Sequence, residues 1–261
     1  MGNVDNTATQ HPEMQALGLK YDRWQDAVEA AISTNQLAVT GEVRGGQLIQ
    51  FSDPSGAQLN ILAVEPFATF IGFDGVTKAF AHIDMLNDVL AFVDVIDPFG
   101  KSKLHLTANL AQGPLLAEEG TQQWQEVNIS AMGLDISSYP SAEDYEQSHG
   151  SFPEFFTSPG AEIVDNNSPE TPTAAGNFAA RVVEANWRHN QLTGEKFIHA
   201  VMDGILPFDL CLAADTLGGE LPEPGAVLSG SALVVAAVAL PSGGCGSGGG
   251  CGSGGCGCGG H

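Results

Sequence analysis

Residues 37–73 read LAVTGEVRGGQLIQFSDPSGAQLNILAVEPFATFIGF. Four short apolar runs, at 37–43, 47–51, 58–64 and 67–73, alternate with Gly45-Gly46, Asp53-Pro54-Ser55-Gly56 and Glu65-Pro66. These separators are turn chemistry: Pro presets φ, Gly reaches φ > 0, and Asp can bond its own backbone. Short runs between such turns predict strands joined by tight connections. The texture continues through KAFAHID (78–84), VLAFVDVID (89–97), KLHLTANL (103–110) and QWQEVNISAM (123–132). An antiparallel β sandwich or barrel is therefore expected over 37–134. Only DMLND, at 84–88, has a short helix as an alternative.

Upstream, Trp24, Ala27, Val28, Ala31 and Ile32 recur at three- and four-residue steps. That is a helical face, with Asp22 as its N-cap and Ser33-Thr34-Asn35 as its end. Residues 1–36 thus comprise a polar arm and one helix.

Downstream, 135–176 is an acidic, Pro-rich linker. Prolines at 140, 153, 159, 169 and 172 forbid a long helix or central strand. Phe152, Phe155 and Phe156 would clamp it onto the body, or else form an acidic-aromatic motif for a protein partner. Residues 177–240 then give four more strand patterns, FAARVVEAN, EKFIHAVMD, LPFDLCLA and AVLSGSALVVAAVAL. With a short helix near Ala213-Asp215, they suit a small oligonucleotide/oligosaccharide-type β barrel. SGAQLNILAV (55–64) and TGEKFIHAVM (193–202) share a pattern, which either a duplication or any two hairpins would produce. The fold class expected is mainly β.

Charge narrows the partners. Nine Lys and Arg against 31 Asp and Glu leave a formal charge of −22 in 261 residues. Such a surface repels phosphate backbones and anionic lipid, so no nucleic acid is expected. Hydrophobic content of 43% is enough for a packed core. The start, MGNVDNTATQ, has no basic or apolar region of a secretory signal, and Asn6 stands where a myristoylation motif needs Ser or Thr. The longest aliphatic run, 232–240, has nine residues against about 20 for a bilayer span. A soluble, cytoplasmic protein without membrane insertion is expected.

Four of the five cysteines, Cys245, Cys251, Cys256 and Cys258, fall in the last seventeen residues. The tail 241–261 also holds twelve of the 33 glycines, so it reads as a flexible, disordered Gly/Cys extension. From Gly244 it runs GCGSGG, GCGSGG, CGCGGH, with spacing C-x5-C-x4-C-x-C and His261 three residues after Cys258. Glycine on every side lets the sulfurs converge with little strain. Thiolate and imidazole suit Zn²⁺ or Cu(I), so Cys245, Cys251, Cys256, Cys258 and His261 are the metal-ligand candidates. Ordering so flexible a segment opposes binding through lost backbone entropy.

The alternation of Gly-Cys with Gly-Ser resembles the core peptides of azole-forming microcins. That resemblance implies heterocyclisation at Cys245, Ser247, Cys251, Ser253, Cys256 and Cys258, with the long β-rich body in place of a short leader. Cys256-Gly257-Cys258-Gly259 resembles the Cys-Gly-Cys motif of A-type iron–sulfur carriers, which implies an upstream partner such as Cys211. A third reading is a low-complexity extension with no defined ligand.

Histidines are the other resource. His82, Asp84, Asp94, Asp97 and His105 lie on neighbouring strand patterns, and adjacent antiparallel strands would bring two imidazoles and a carboxylate together. His189 and His199 flank the second hairpin. For catalysis, no G-x-S-x-G elbow, Walker loop, dinucleotide fingerprint or H-E-x-x-H is present. Ser229 lies inside a strand pattern, and the pairs Glu118-Glu119 and Glu143-Asp144 read as solvated faces. No enzymatic activity is expected. The function expected is a soluble binding or scaffold protein whose Cys/His tail takes Zn²⁺ or Cu(I), with a protein partner. The alternatives are an azole precursor and an assembly subunit with an inert tail.

Overall fold

The computed structural model describes residues 11–238. Positions 1–10 and the whole cysteine tail lie outside the described residues. The protein is mainly β, with 48% strand against 14% helix.

Two helices open the described chain, α1 (Pro12–Gln15) and α2 (Trp24–Ser33). In α2, Ala27 and Ala31 are buried and Trp24 and Val28 pack beside them, as their spacing predicts. Ile32 instead stays exposed. The N-cap is Arg23 rather than Asp22, and Arg23 bonds Asp26 across the first turn.

Strands β1 (Ala38–Val43), β2 (Gly46–Ser52), β3 (Ala57–Leu62) and β4 (Ala68–Phe73) form a four-stranded antiparallel sheet in chain order. The β1–β2 loop is Arg44-Gly45, with φ of 47° and 80°. That is the paired positive φ whose twist suits a two-residue hairpin. Between β2 and β3, the Asp53 carboxylate accepts from the Ser55 amide at 2.9 Å, as its turn chemistry anticipated.

The remaining strands make one nine-stranded sheet. They are β5 (Ala79–Met85), β6 (Leu90–Ile96), β7 (Ser102–Leu110), β8 (Gln122–Tyr139), β9 (Phe155–Thr157), β10 (Ala175–His189), β11 (Lys196–Asp203), β12 (Phe208–Ala213) and β13 (Val227–Val238). Its hydrogen bonding closes two circuits, β8-β5-β6-β7-β13 and β8-β12-β11-β10-β13. Both run through the long antiparallel ribbon of β8 and β13, paired from Val127↔Val238 to Tyr139↔Val227.

Strands β5 to β8 of the first expected β unit, 37–134, therefore share a sheet with β10 to β13 of the second, 177–240. No oligonucleotide/oligosaccharide-type barrel closes within 177–240 on its own strands. The reason is local: β12 pairs with β11 on one edge and needs β8 on the other.

The ribbon also explains the aliphatic run at 232–238. Ala232, Val234, Ala236 and Val238 face the main core, while Val235 faces a second cluster with Met132, Cys211 and residues of α1, α2, β3 and β4. A strand buried on both faces reads as continuously apolar. Among the described residues, no helix is long and apolar enough to cross a membrane.

The acidic stretch fits short elements between its prolines: α4 (Ala142–His149), β9 and α5 (Pro159–Asp165). A further short helix, α3 (Gly113–Leu116), follows β7. Phe156 is the clamp, buried and edge-on to Phe208 at 5.3 Å. Phe152 and Phe155 pack less deeply, around Tyr145. Residues 84–85 end β5 and 86–88 bend, while Ala213 ends β12 and 214–215 begin a turn, so neither stretch is helical.

Candidate functional site

The five metal-ligand candidates, Cys245, Cys251, Cys256, Cys258 and His261, lie outside the described residues. Cys211 is inside them and fully buried in the cluster under α1 and α2. Burial, with Asp209 adding repulsion, pushes its thiol well above the ordinary range. A buried neutral thiol is inert, so Cys211 does not fit the upstream-ligand role that the iron–sulfur resemblance implies.

The histidine strands are adjacent and antiparallel. Register places His82 opposite Asp94, and Asp94 opposite His105, in one row across β5, β6 and β7. The side chains then diverge. His82 Nδ1 accepts from the Trp124 amide at 3.1 Å, and its ring meets the Trp124 edge at 5.8 Å. Asp84 accepts from Thr121 Oγ1. Asp97 serves the β6–β7 turn, accepting from the Lys101 and Phe99 amides, which hold its carboxyl below the ordinary value. Among the described residues, no group of three His, Cys, Asp or Glu is arranged to hold a metal ion.

His105 gathers different partners. Its Nδ1 lies 2.8 Å from Asp165 Oδ2, and its Nε2 lies 3.2 Å from Ser102 Oγ and 3.5 Å from Asp94 Oδ1. The carboxylate has no proton, so Nδ1–H is the donor. Ser102 and His105 are three apart and would face opposite sides of a regular strand. The register slips here: Val95 opposes Leu104 and Ile96 opposes Ser102, leaving Lys103 as an extra residue. That bulge turns Ser102 onto the His105 face.

Asp165 arrives on α5, which docks against β7. Ser158 Oγ caps α5 through the Ala161 amide at 3.4 Å and also accepts from the Thr107 amide at 3.0 Å. Gly160 permits this approach, because a Cβ there would overlap the Thr173 carbonyl oxygen and Thr107 Oγ1. Between α5 and β7 lies an open cavity of about 370 Å³, lined by Ser102, Lys103, Leu104, His105, Phe156 and Asp165 among others.

A second polar cluster is buried. His199 Nε2 donates to Asp209 Oδ1 at 2.6 Å, and Asp209 Oδ2 accepts from the Thr77 amide at 2.9 Å and from its hydroxyl at 2.6 Å. The Val76 amide adds a bond at 3.0 Å. Burial raises the Asp209 carboxyl, but bonds from His199, Thr77 and Val76 outweigh it and hold it below its ordinary value. The cluster pins the β4–β5 connection onto β11 and β12. Gly75 lies against it, and a Cβ there would sit 2.5 Å from Asp209 Oδ2.

Ser229 pairs within β13, opposite Ser137 and Ala179. Glu118, Glu119, Glu143 and His189 are exposed. Sequence reasoning named His105 and Asp94 but missed Ser102 and Asp165. The sequence carried no signal for the pair, because a spacing of three places Ser102 and His105 on opposite faces of a regular strand. In comparisons with known proteins, no family model, no curated protein and no solved structure matches this chain.

Proposed function

We propose that the β-rich body is a binding or scaffold module that carries a soft-metal tail, taking Zn²⁺ or Cu(I) in a reducing cytosol and docking on a protein partner. The observation that supports this reading is the segregation of sulfur. Cys211, outside the tail, is buried with its thiol raised, so the thiols left to bind metal are Cys245, Cys251, Cys256 and Cys258, with His261 beside them. Metal binding needs thiolate and neutral imidazole, and the glycines between them permit convergence.

The deciding experiment titrates reduced full-length protein, and protein lacking 241–261, with each metal under a competing chelator. Tighter binding by the full-length protein is the expected outcome. Equal, weak binding by both would end the metal reading.

A second reading rests on the hexad repeat, GCGSGG twice in succession. In it the body is a recognition domain, and the tail is heterocyclised at its Cys and Ser residues. Intact mass separates the two, because each azole removes about 20 Da covalently, which a metal does not.

A further inference from the structure

We propose that Ser102, His105 and Asp165 form a nucleophilic site that hydrolyses small acyl esters, independently of the tail. This goes beyond the binding reading above and departs from the expectation of no enzymatic activity. The inference rests on three observations: the order of contacts around one imidazole, the bulge that creates it, and the cavity beside it.

Asp165 accepts the Nδ1 proton of His105 at 2.8 Å, so in the neutral ring the lone pair is on Nε2. Ser102 Oγ is the nearest group to that lone pair, at 3.2 Å, while Asp94 stands back at 3.5 Å. Nucleophile, base and orienting carboxylate thus occur in the sequence of contacts that activates a hydroxyl. A regular β7 would separate Ser102 from His105, so the extra residue at Lys103 is what assembles the pair.

The cavity supplies room for a substrate. Leu104 and Phe156 offer an apolar wall for a short acyl chain, and Lys103 is a cation on the same lining. Its openness to solvent suits a small ester whose alcohol portion stays in water.

In the acylation step, Ser102 Oγ bonds to the ester carbonyl carbon as its proton passes to His105 Nε2. The tetrahedral adduct then collapses, breaking the bond to the alcohol oxygen, which leaves with the proton from Nε2. Water repeats both movements on the acyl-serine, releasing the acid and restoring the Ser102 hydroxyl. The sum is ester plus water giving acid plus alcohol. Asp165 touches no substrate and is a positioning residue.

The test treats the full chain with a fluorophosphonate, maps the adduct by peptide mass, and follows 4-nitrophenyl acetate hydrolysis in parallel. An adduct on Ser102 is expected, absent in Ser102→Ala and reduced about a hundredfold or more in His105→Gln. Asp165→Asn should lower kcat while leaving KM near its original value, a split that general loosening of the fold does not produce. Because wild-type protein carries the first readout, failure of a variant to fold does not shelter the proposal. No adduct at Ser102, or equal labelling in His105→Gln, overturns it. Acetyl release that persists in Ser102→Ala, from lysine or tail thiols, also counts against it.

Discussion

Asp209 and His199 are hydrogen-bonded at 2.6 Å in an interior that exposes neither side chain by more than 3%. The two sit on paired strands β12 and β11, yet the remaining lone pairs of Asp209 are filled from residues 76 and 77, more than 130 positions earlier. The pair is a tie between distant parts of the chain. Removing either partner leaves a buried polar group without its complement, so Asp209→Ala should cost about 3 kcal/mol in urea unfolding. A loss below about 0.5 kcal/mol would show that the network contributes little.

The same carboxylate sets an acid limit. Its folded-state value lies below the ordinary one, so its stabilisation is complete above about pH 4 and is lost as pH falls through the folded value. Urea midpoints measured from pH 7 downward should therefore drop less steeply below about pH 4 in Asp209→Asn than in the parent. Parallel curves would place the acid sensitivity elsewhere.

Gly160 offers a way to detach α5. A methyl group there collides with the Thr173 carbonyl and the Thr107 hydroxyl. Gly160→Ala should cost about 1–3 kcal/mol, in line with other overpacked interiors. Amide exchange over 158–165 should accelerate ahead of the rest of the chain. Unchanged exchange in that segment would mean that α5 is held by other contacts.

Cys211 should be chemically silent. With its thiol buried and raised, iodoacetamide should leave it unmodified in native protein and alkylate it only beyond the urea midpoint. Peptide mapping gives the answer directly. Fast native alkylation would contradict its placement in the core.

Within the tail, Cys256→Ser together with Cys258→Ser should weaken Zn²⁺ or Cu(I) binding more than Cys245→Ser alone. One glycine separates Cys256 from Cys258, so their sulfurs stay close, and a bound cation relieves repulsion between two thiolates. Affinity should fall as pH drops below about 6.5, where imidazole protonates. Deleting 241–261 should leave Tm nearly unchanged, since that segment contains only Pro, Ser, Gly, Cys and His and no large apolar side chain. Equal affinity in the double and single variants would remove the special role of the Cys256–Cys258 pair.

Local chemistry made the first sheet readable. Gly45, Pro54 and Gly56 mark turns that fold as turns, and the runs between them became β1 to β3 with ends shifted by a residue or so. The row His82, Asp94, His105 was readable for the same reason, because hairpin register follows from loop length. Pairing of β8 with β13 left no such trace: Val127 and Val238 meet across most of the domain, and each strand alone looks like any apolar run. Asp165 escaped notice likewise, being sixty residues from His105. The Lys103 bulge changes register without changing composition, so Ser102 looked like an ordinary strand end. In 135–176 the prolines do exclude long elements, but ones as short as α4 and α5 fit between them.

Synthesis order gives the β8–β13 ribbon a further meaning. β13 is the last described strand to leave the ribosome, yet both circuits close through it. A nascent chain that has reached β12 holds β7, β8 and β10 with edges that only β13 will cover. Open edges of this kind invite pairing with other chains. The joining contacts are also distant in sequence, which slows folding. Neither half can mature early, so pulsed hydrogen exchange during refolding should show β5–β7 and β10–β12 gaining protection together. The body is thus committed to one late, concerted closure, and a translating cell must shield its exposed edges until that moment arrives.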